Sequence, residues 1–129
     1  MKPTSAFASR AFALAALAPA AAQAAPLNAD KPLVKGDEYL VVASNPDNLH
    51  VVDLKADALY KSCAVPGSVA PGTLVMSADK ATAYLVTNHF DEVHGIALDT
   101  CQVVFHAKMA QKPEERAKAL FALSVSNDS

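Results

Sequence analysis

From Glu38 onward the apolar residues fall in short runs, and Asp, Asn, Thr, Pro or Gly interrupts each run before it reaches helix length. The clearest series lies between Gly72 and Met109 and predicts four strands: Gly72 to Ser77, Thr82 to Asn88, Glu92 to Leu98 and Gln102 to Met109. The segments between them, 78–81, 89–91 and 99–101, carry the Asp, Asn and Thr that close tight turns. Along the last strand the residues alternate. Val103, Phe105, Ala107 and Met109 fall on one face and Gln102, Val104, His106 and Lys108 on the other, so one face is built to pack on a neighbour. The second strand is apolar on both faces through Tyr84, Leu85 and Val86, as expected of a strand covered from two sides.

The same pattern is written earlier in the chain. Tyr39-Leu40-Val41 matches Tyr84-Leu85-Val86 at a spacing of 45, and Leu49-His50-x-Val52-x-Leu54 matches Val93-His94-x-Ile96-x-Leu98 at 44. One residue is lost in the intervening turn. A third copy begins at Leu123-Ser124-Val125-Ser126-Asn127-Asp128, which echoes Leu74 to Asp79. Short strands repeating at this period predict an all-β β-propeller, in which every blade is a four-stranded antiparallel sheet that covers its neighbours. The expectation is about two blades, 38–66 and 72–110, with a third starting at 119–129. The first blade shows three strands, Glu38 to Ala43, Asn48 to Leu54 and Ala58 to Val65. Its inner strand is missing, because the linker at 25–37 is poor in apolar pairs and broken by Pro32 and Gly36.

Composition changes the picture at the N-terminus. Lys2 and Arg10, an apolar stretch from Ala11 to about Ala18 and the small residues around Ala22-Gln23-Ala24 read as a secretory signal peptide over residues 1–24. Cleavage after Ala25 is nearly as good a choice, and the apolar run is shorter than the ~20 residues that span a bilayer. Without Lys2 and Arg10 the chain holds nine basic residues against thirteen acidic ones, which disfavours nucleic acid and anionic membranes as partners. Export would carry Cys63 and Cys101 into an oxidising compartment. Blade geometry nevertheless places them at opposite ends of the two outer strands, ~20 Å apart for strands of about seven residues, which predicts no bond between them.

The turn and strand Ser77-Ala78-Asp79-Lys80-Ala81-Thr82-Ala83-Tyr84-Leu85-Val86-Thr87-Asn88 resemble the repeat of YVTN propellers, with Ala78 and Lys80 standing where that repeat has Pro and Gly. A longer resemblance runs from Glu38 to Asp128. The segments YLVVASNPDNLHVVDL, YKSC, PGTLVMSADKATAYLVTNHF, GIALDTCQVVFHAKMAQKPEERAK and LFALSVSND resemble the start of the β subunit of quinohemoprotein amine dehydrogenase. That resemblance implies a seven-bladed periplasmic propeller, of which this chain would be the N-terminal part. It also implies two partners: a subunit carrying c-type haem and a small subunit carrying a cysteine-tryptophan-derived quinone, which together oxidise primary amines. A stand-alone secreted YVTN propeller that binds a ligand or polypeptide is the alternative.

No nucleophile–base pair, paired carboxylates or phosphate loop stands out, so no catalytic, cofactor-binding or metal-binding residue is assigned on this chain. His50 and His94 hold equivalent places in the repeat, and neither has another His, Cys or carboxylate at a recognised ligand spacing. Inheritance with the repeat accounts for them, and His106 reads as a solvated residue on an outer strand. The loop Asn88, His89, Phe90 and Asp91 is the candidate partner-facing element, since an aromatic ring beside polar groups is the make-up of an interface anchor. The segment Gln111 to Lys118 reads as a solvated crossover with one helical turn starting at Pro113.

Overall fold

The computed structural model describes residues 26–67, 71–115 and 123–126. The expected signal peptide and most of the expected third copy lie outside these residues, and 123–126 are irregular. Seven strands follow in chain order: β1 (Tyr39–Ser44), β2 (Asn48–Asp53), β3 (Ala58–Ala64), β4 (Leu74–Met76), β5 (Thr82–Thr87), β6 (Glu92–Ala97) and β7 (Val103–Lys108). They form two antiparallel sheets in which each strand pairs with its sequence neighbour, β1-β2-β3 and β4-β5-β6-β7. There is no helix among the described residues.

The turn that opens β5 shows how local sequence sets these hairpins. Asp79 accepts hydrogen bonds from the Ser77 hydroxyl and the Ala81 amide, while the Ser77 hydroxyl accepts from the Thr82 amide. Lys80, where the YVTN repeat has Gly, takes a left-handed φ of 61°. β4 is shorter than the sequence suggests, although hydrogen bonds between residues 72–73 and Val86, and between Ser77 and Thr82, extend its pairing at both ends.

The sheets repeat in detail. The β2–β3 register shifts between Val51 and Val52 and the β6–β7 register between Gly95 and Ile96, positions that correspond in the repeat. The second bulge leaves Val104 extra, so the strict alternation expected along β7 does not run through the strand. The bulge changes which side chains share a face.

The sheets pack face to face through one core. Leu49, Val51 and Cys63, with Val41 and Ala43 beside them, meet Ala83, Leu85, Ile96 and Leu98. Burying side chains of this size contributes about 1.5–3 kcal/mol each relative to exposure. Leu85 is 0% exposed, whereas Leu40, its match in the sequence repeat, is 50% exposed. Leu40 and its neighbour Val42 lie on the other face of the first sheet, with Val52 and His50 opposite them. On the first sheet the corresponding face therefore leaves Leu40 and Val42 exposed, although Ser62 on it is buried.

The expected separation of the two cysteines is wrong. Cys63 and Cys101 form a disulfide with Cα atoms 5.2 Å apart. The expectation placed the outer strands side by side at one height, whereas packed sheets are twisted and cross at an angle. The β6–β7 turn comes to lie against β3. Lys61 beside it is 0% exposed, and its ammonium donates to the carbonyls of Lys31 (2.8 Å), Leu98 (2.6 Å) and Asp99 (2.9 Å). Asp99 in turn accepts from the Leu33 amide at 2.9 Å. Burial pushes the Lys61 pKa below the ordinary lysine value, opposed by the charges of Asp99 and Asp30.

The segment before β1 completes the first sheet on its outer edge rather than its inner one. Leu27 bridges Ser62 of β3, and the Tyr60 hydroxyl donates to the Pro32 carbonyl at 2.6 Å. The Lys31 ammonium lies 3.8 Å from the centre of the Tyr60 ring, which also packs on Tyr39. No described residue supplies a strand on the free side of β1.

Candidate functional site

The loop from β5 to β6 is an unusual backbone. Asn88, His89 and Phe90 have φ of 51°, 58° and 69°, three successive left-handed residues. Asn and His tolerate that region better than Phe, for which it costs about 1–2 kcal/mol. The surroundings hold the loop in place. The Asp91 amide donates to the carbonyls of Thr87 (3.2 Å) and Asn88 (3.3 Å), and the Asp91 carbonyl accepts from the Met109 amide at 2.8 Å. The Asp91 carboxylate accepts from the Ala110 amide at 3.1 Å. Phe90 lies against Gly72, where a Cβ would meet its ring at 3.0 Å, so any larger residue at 72 would push the ring away. The residue as a whole keeps 39% of its surface exposed.

This end of the second sheet thus gathers the 88–91 loop and both crossovers, one reaching Gly72 and the other leaving β7. A groove of about 250 Å³ runs between Asn88, His89 and Asp91 on one side and Lys108, Lys112 and Glu115 on the other. The crossover carries a turn at 112–115. The Glu115 carboxylate accepts from the amides of Gln111 (3.1 Å) and Lys112 (3.2 Å), and the residues of the expected helical turn beyond 115 are not described.

Directly beneath the loop, the β5–β6–β7 register sets five polar side chains on the face turned to the first sheet. Glu92 lies opposite Thr87 and Lys108, and His94 opposite Leu85 and His106. The His94 and His106 rings stack with centroids 4.3 Å apart and planes 14° from parallel. His106 Nε2 is 2.8 Å from a Glu92 carboxylate oxygen, and the Lys108 ammonium is 4.0 Å from the other. His94 Nδ1 is 2.9 Å from the Thr87 hydroxyl. His94 and Thr87 are buried, whereas the His106 side chain is half exposed.

Electrostatics follow from that arrangement. Burial opposes ionisation of Glu92, but hydrogen bonds from His106 and Asn88 and the charges of His106 and Lys108 outweigh it and hold the carboxyl below its usual range. Burial, reinforced by repulsion from His106 and opposed by Glu92, pushes the His94 pKa down. These effects favour the neutral form of His94. Donors, acceptors and a neutral imidazole converge at one place, which suits cation or proton binding.

His50 provides an internal comparison. Its Nε2 is 2.7 Å from the Ser44 hydroxyl and its Nδ1 2.7 Å from the Ser62 hydroxyl, so both ring nitrogens are engaged within the first sheet. Ser62 corresponds to His106 in the repeat and Asn48 to Glu92. The two histidines are not brought together, and His106, half exposed on its outer strand as expected, also stacks on His94 and meets Glu92. The local spacing of His94 concealed its partners, because His106 comes from across a hairpin and a bulge sets the pairing. A Glu-x-His run facing a histidine in the next strand was the available signal.

A second groove, of about 830 Å³, lies where residues 33–39 approach Met76, Asp79, Lys80 and Leu98. It holds acidic and basic side chains without a cluster of groups suited to chemistry. Neither a family model nor a curated protein matches the chain.

Proposed function

We propose that this chain is a non-catalytic β-propeller scaffold of a periplasmic quinohemoprotein amine dehydrogenase, holding a haem-bearing subunit and a small quinone-bearing subunit. The observation that carries the propeller is the contrast between Leu85 and Leu40, one repeated position that is sealed in the second sheet and bare in the first. Sheets that pack front to back leave such a face at each step, and a further sheet of the same repeat is the surface that matches it. Closing the series in a ring covers every face. The amine dehydrogenase assignment rests on the resemblance from Glu38 to Asp128.

The chain's own residues suit a scaffold. It has no Trp from which a tryptophan-derived quinone could form, and no Cys-x-x-Cys-His for covalent haem, so both redox groups would belong to the partners. The 88–91 loop, with Phe90 half packed and half exposed, is the surface proposed to meet them.

Affinity purification of the full-length chain from the periplasm of its native host tests the reading. Expected are a co-purifying c-type haem subunit, a quinone-bearing subunit and amine-dependent dye reduction by the assembly, with none by the chain alone. Recovery without haem would leave the stand-alone secreted propeller, and turnover by the isolated chain would refute the scaffold role.

A further inference from the structure

The geometry points to a transition-metal site formed by Glu92, His94 and His106, selective for zinc or copper. Each residue offers one ligand atom, and these atoms all lie within 4.8 Å of one another. Ligands bound at ~2.0–2.2 Å in a tetrahedron are about 3.3 Å apart, so the group needs to contract by about 1.5 Å at most. The strands already supply most of the order. His94 and His106 are direct cross-strand partners, and Glu92 precedes His94 by two residues on the same face. Rotation of the Glu92 and His106 side chains closes the remaining gap, the latter being half exposed and exchanging its hydrogen bond to Glu92 for the metal.

His94 is held ready by Thr87. With the hydroxyl accepting a proton from Nδ1, 2.9 Å away, the lone pair lies on Nε2, and the ring is presented in one tautomer and one orientation. Metal entry replaces the His106–Glu92 hydrogen bond with two coordinate bonds and leaves a fourth position for water. Two imidazoles and one carboxylate favour zinc or copper over magnesium or calcium, which require a shell of oxygens.

The repeat makes the case sharper. In the first sheet the corresponding positions are Asn48, His50 and Ser62, where a histidine is hydrogen-bonded by hydroxyls alone. The second sheet retains the histidine and places a carboxylate and an imidazole at the two flanking positions. Inheritance explains His94, but it does not explain that pair of replacements. The inference is independent of the scaffold role, which concerns partners and not this group.

The test is calorimetric titration of the untagged full-length chain, in whatever oligomer it forms, with zinc and then copper salts. Comparison is made with His106→Ser, Glu92→Gln and His50→Gln. His106→Ser installs the residue of the first sheet at an exposed position, and Glu92→Gln keeps side-chain shape. Expected are one ion per chain, affinity lowered at least about tenfold by either of the first two changes, and affinity unchanged by His50→Gln. X-ray absorption at the zinc edge should show two imidazole nitrogens, falling to one in His106→Ser. Absence of binding to the folded wild-type chain would overturn the proposal. So would binding that His106→Ser and Glu92→Gln both leave unchanged.

Discussion

Reduction of the Cys63–Cys101 disulfide is the sharpest probe of how the two sheets are joined. The bond spans 38 residues of sequence and ties β3 to the β6–β7 turn. In the chain-entropy account, closing a loop of that length removes ~13 cal/mol/K from the unfolded ensemble, ~4 kcal/mol at room temperature. Cys63 is fully buried in the common core, so reduction adds two thiols without opening a cavity. The experiment is urea unfolding of the full-length chain with and without a phosphine reductant, with liberated thiols titrated in parallel. At a slope of ~2 kcal/mol/M the midpoint should fall by about 2 M. A shift below about 0.5 M with both thiols shown to be free would refute the reasoning, because the loop would then be constrained equally well by packing. Failure to release any thiol under denaturing, non-reducing conditions, together with a Cys63 to Cys101 link in peptide mapping, would establish the pairing directly.

Lys61→Met removes three charge-assisted hydrogen bonds and strands the buried Leu98 carbonyl, at a cost of about 1–3 kcal/mol measured by chemical denaturation. Because the folded pKa of Lys61 is depressed, the unfolded chain binds more protons between that value and the ordinary lysine value, so wild-type stability gains on Lys61→Met as pH rises through that window. A difference that shrinks over the same range would reverse the sign of the argument. Gly95→Ala should cost about 1–3 kcal/mol by overpacking, since its Cβ would meet the Phe105 Cβ and the Tyr84 ring each at 2.9 Å. An unchanged melting temperature would mean that the Tyr84–Phe105 pair gives way freely.

Short apolar runs and their punctuation were enough to locate the strands. β5, β6 and β7 each begin within a residue of where hydrophobic pattern and turn chemistry put them, because a strand's limits depend on its own residues and those of its hairpin. The repeat of Tyr39-Leu40-Val41 in Tyr84-Leu85-Val86 likewise announced two similar sheets. What the sequence did not carry was how the sheets cross. That arrangement belongs to whole sheets and not to any one strand, and it brought the β6–β7 turn onto β3, joined Cys63 to Cys101 and sealed Lys61 under three carbonyls. The Glu92–His94–His106 group depended on structure for a related reason. Its members share a face only because the strands pair in one register, and a bulge at Val104 shifts the alternation that sequence periodicity would assign. Local pattern determines which residues form strands, but side chains meet across strands and sheets, where register and twist decide.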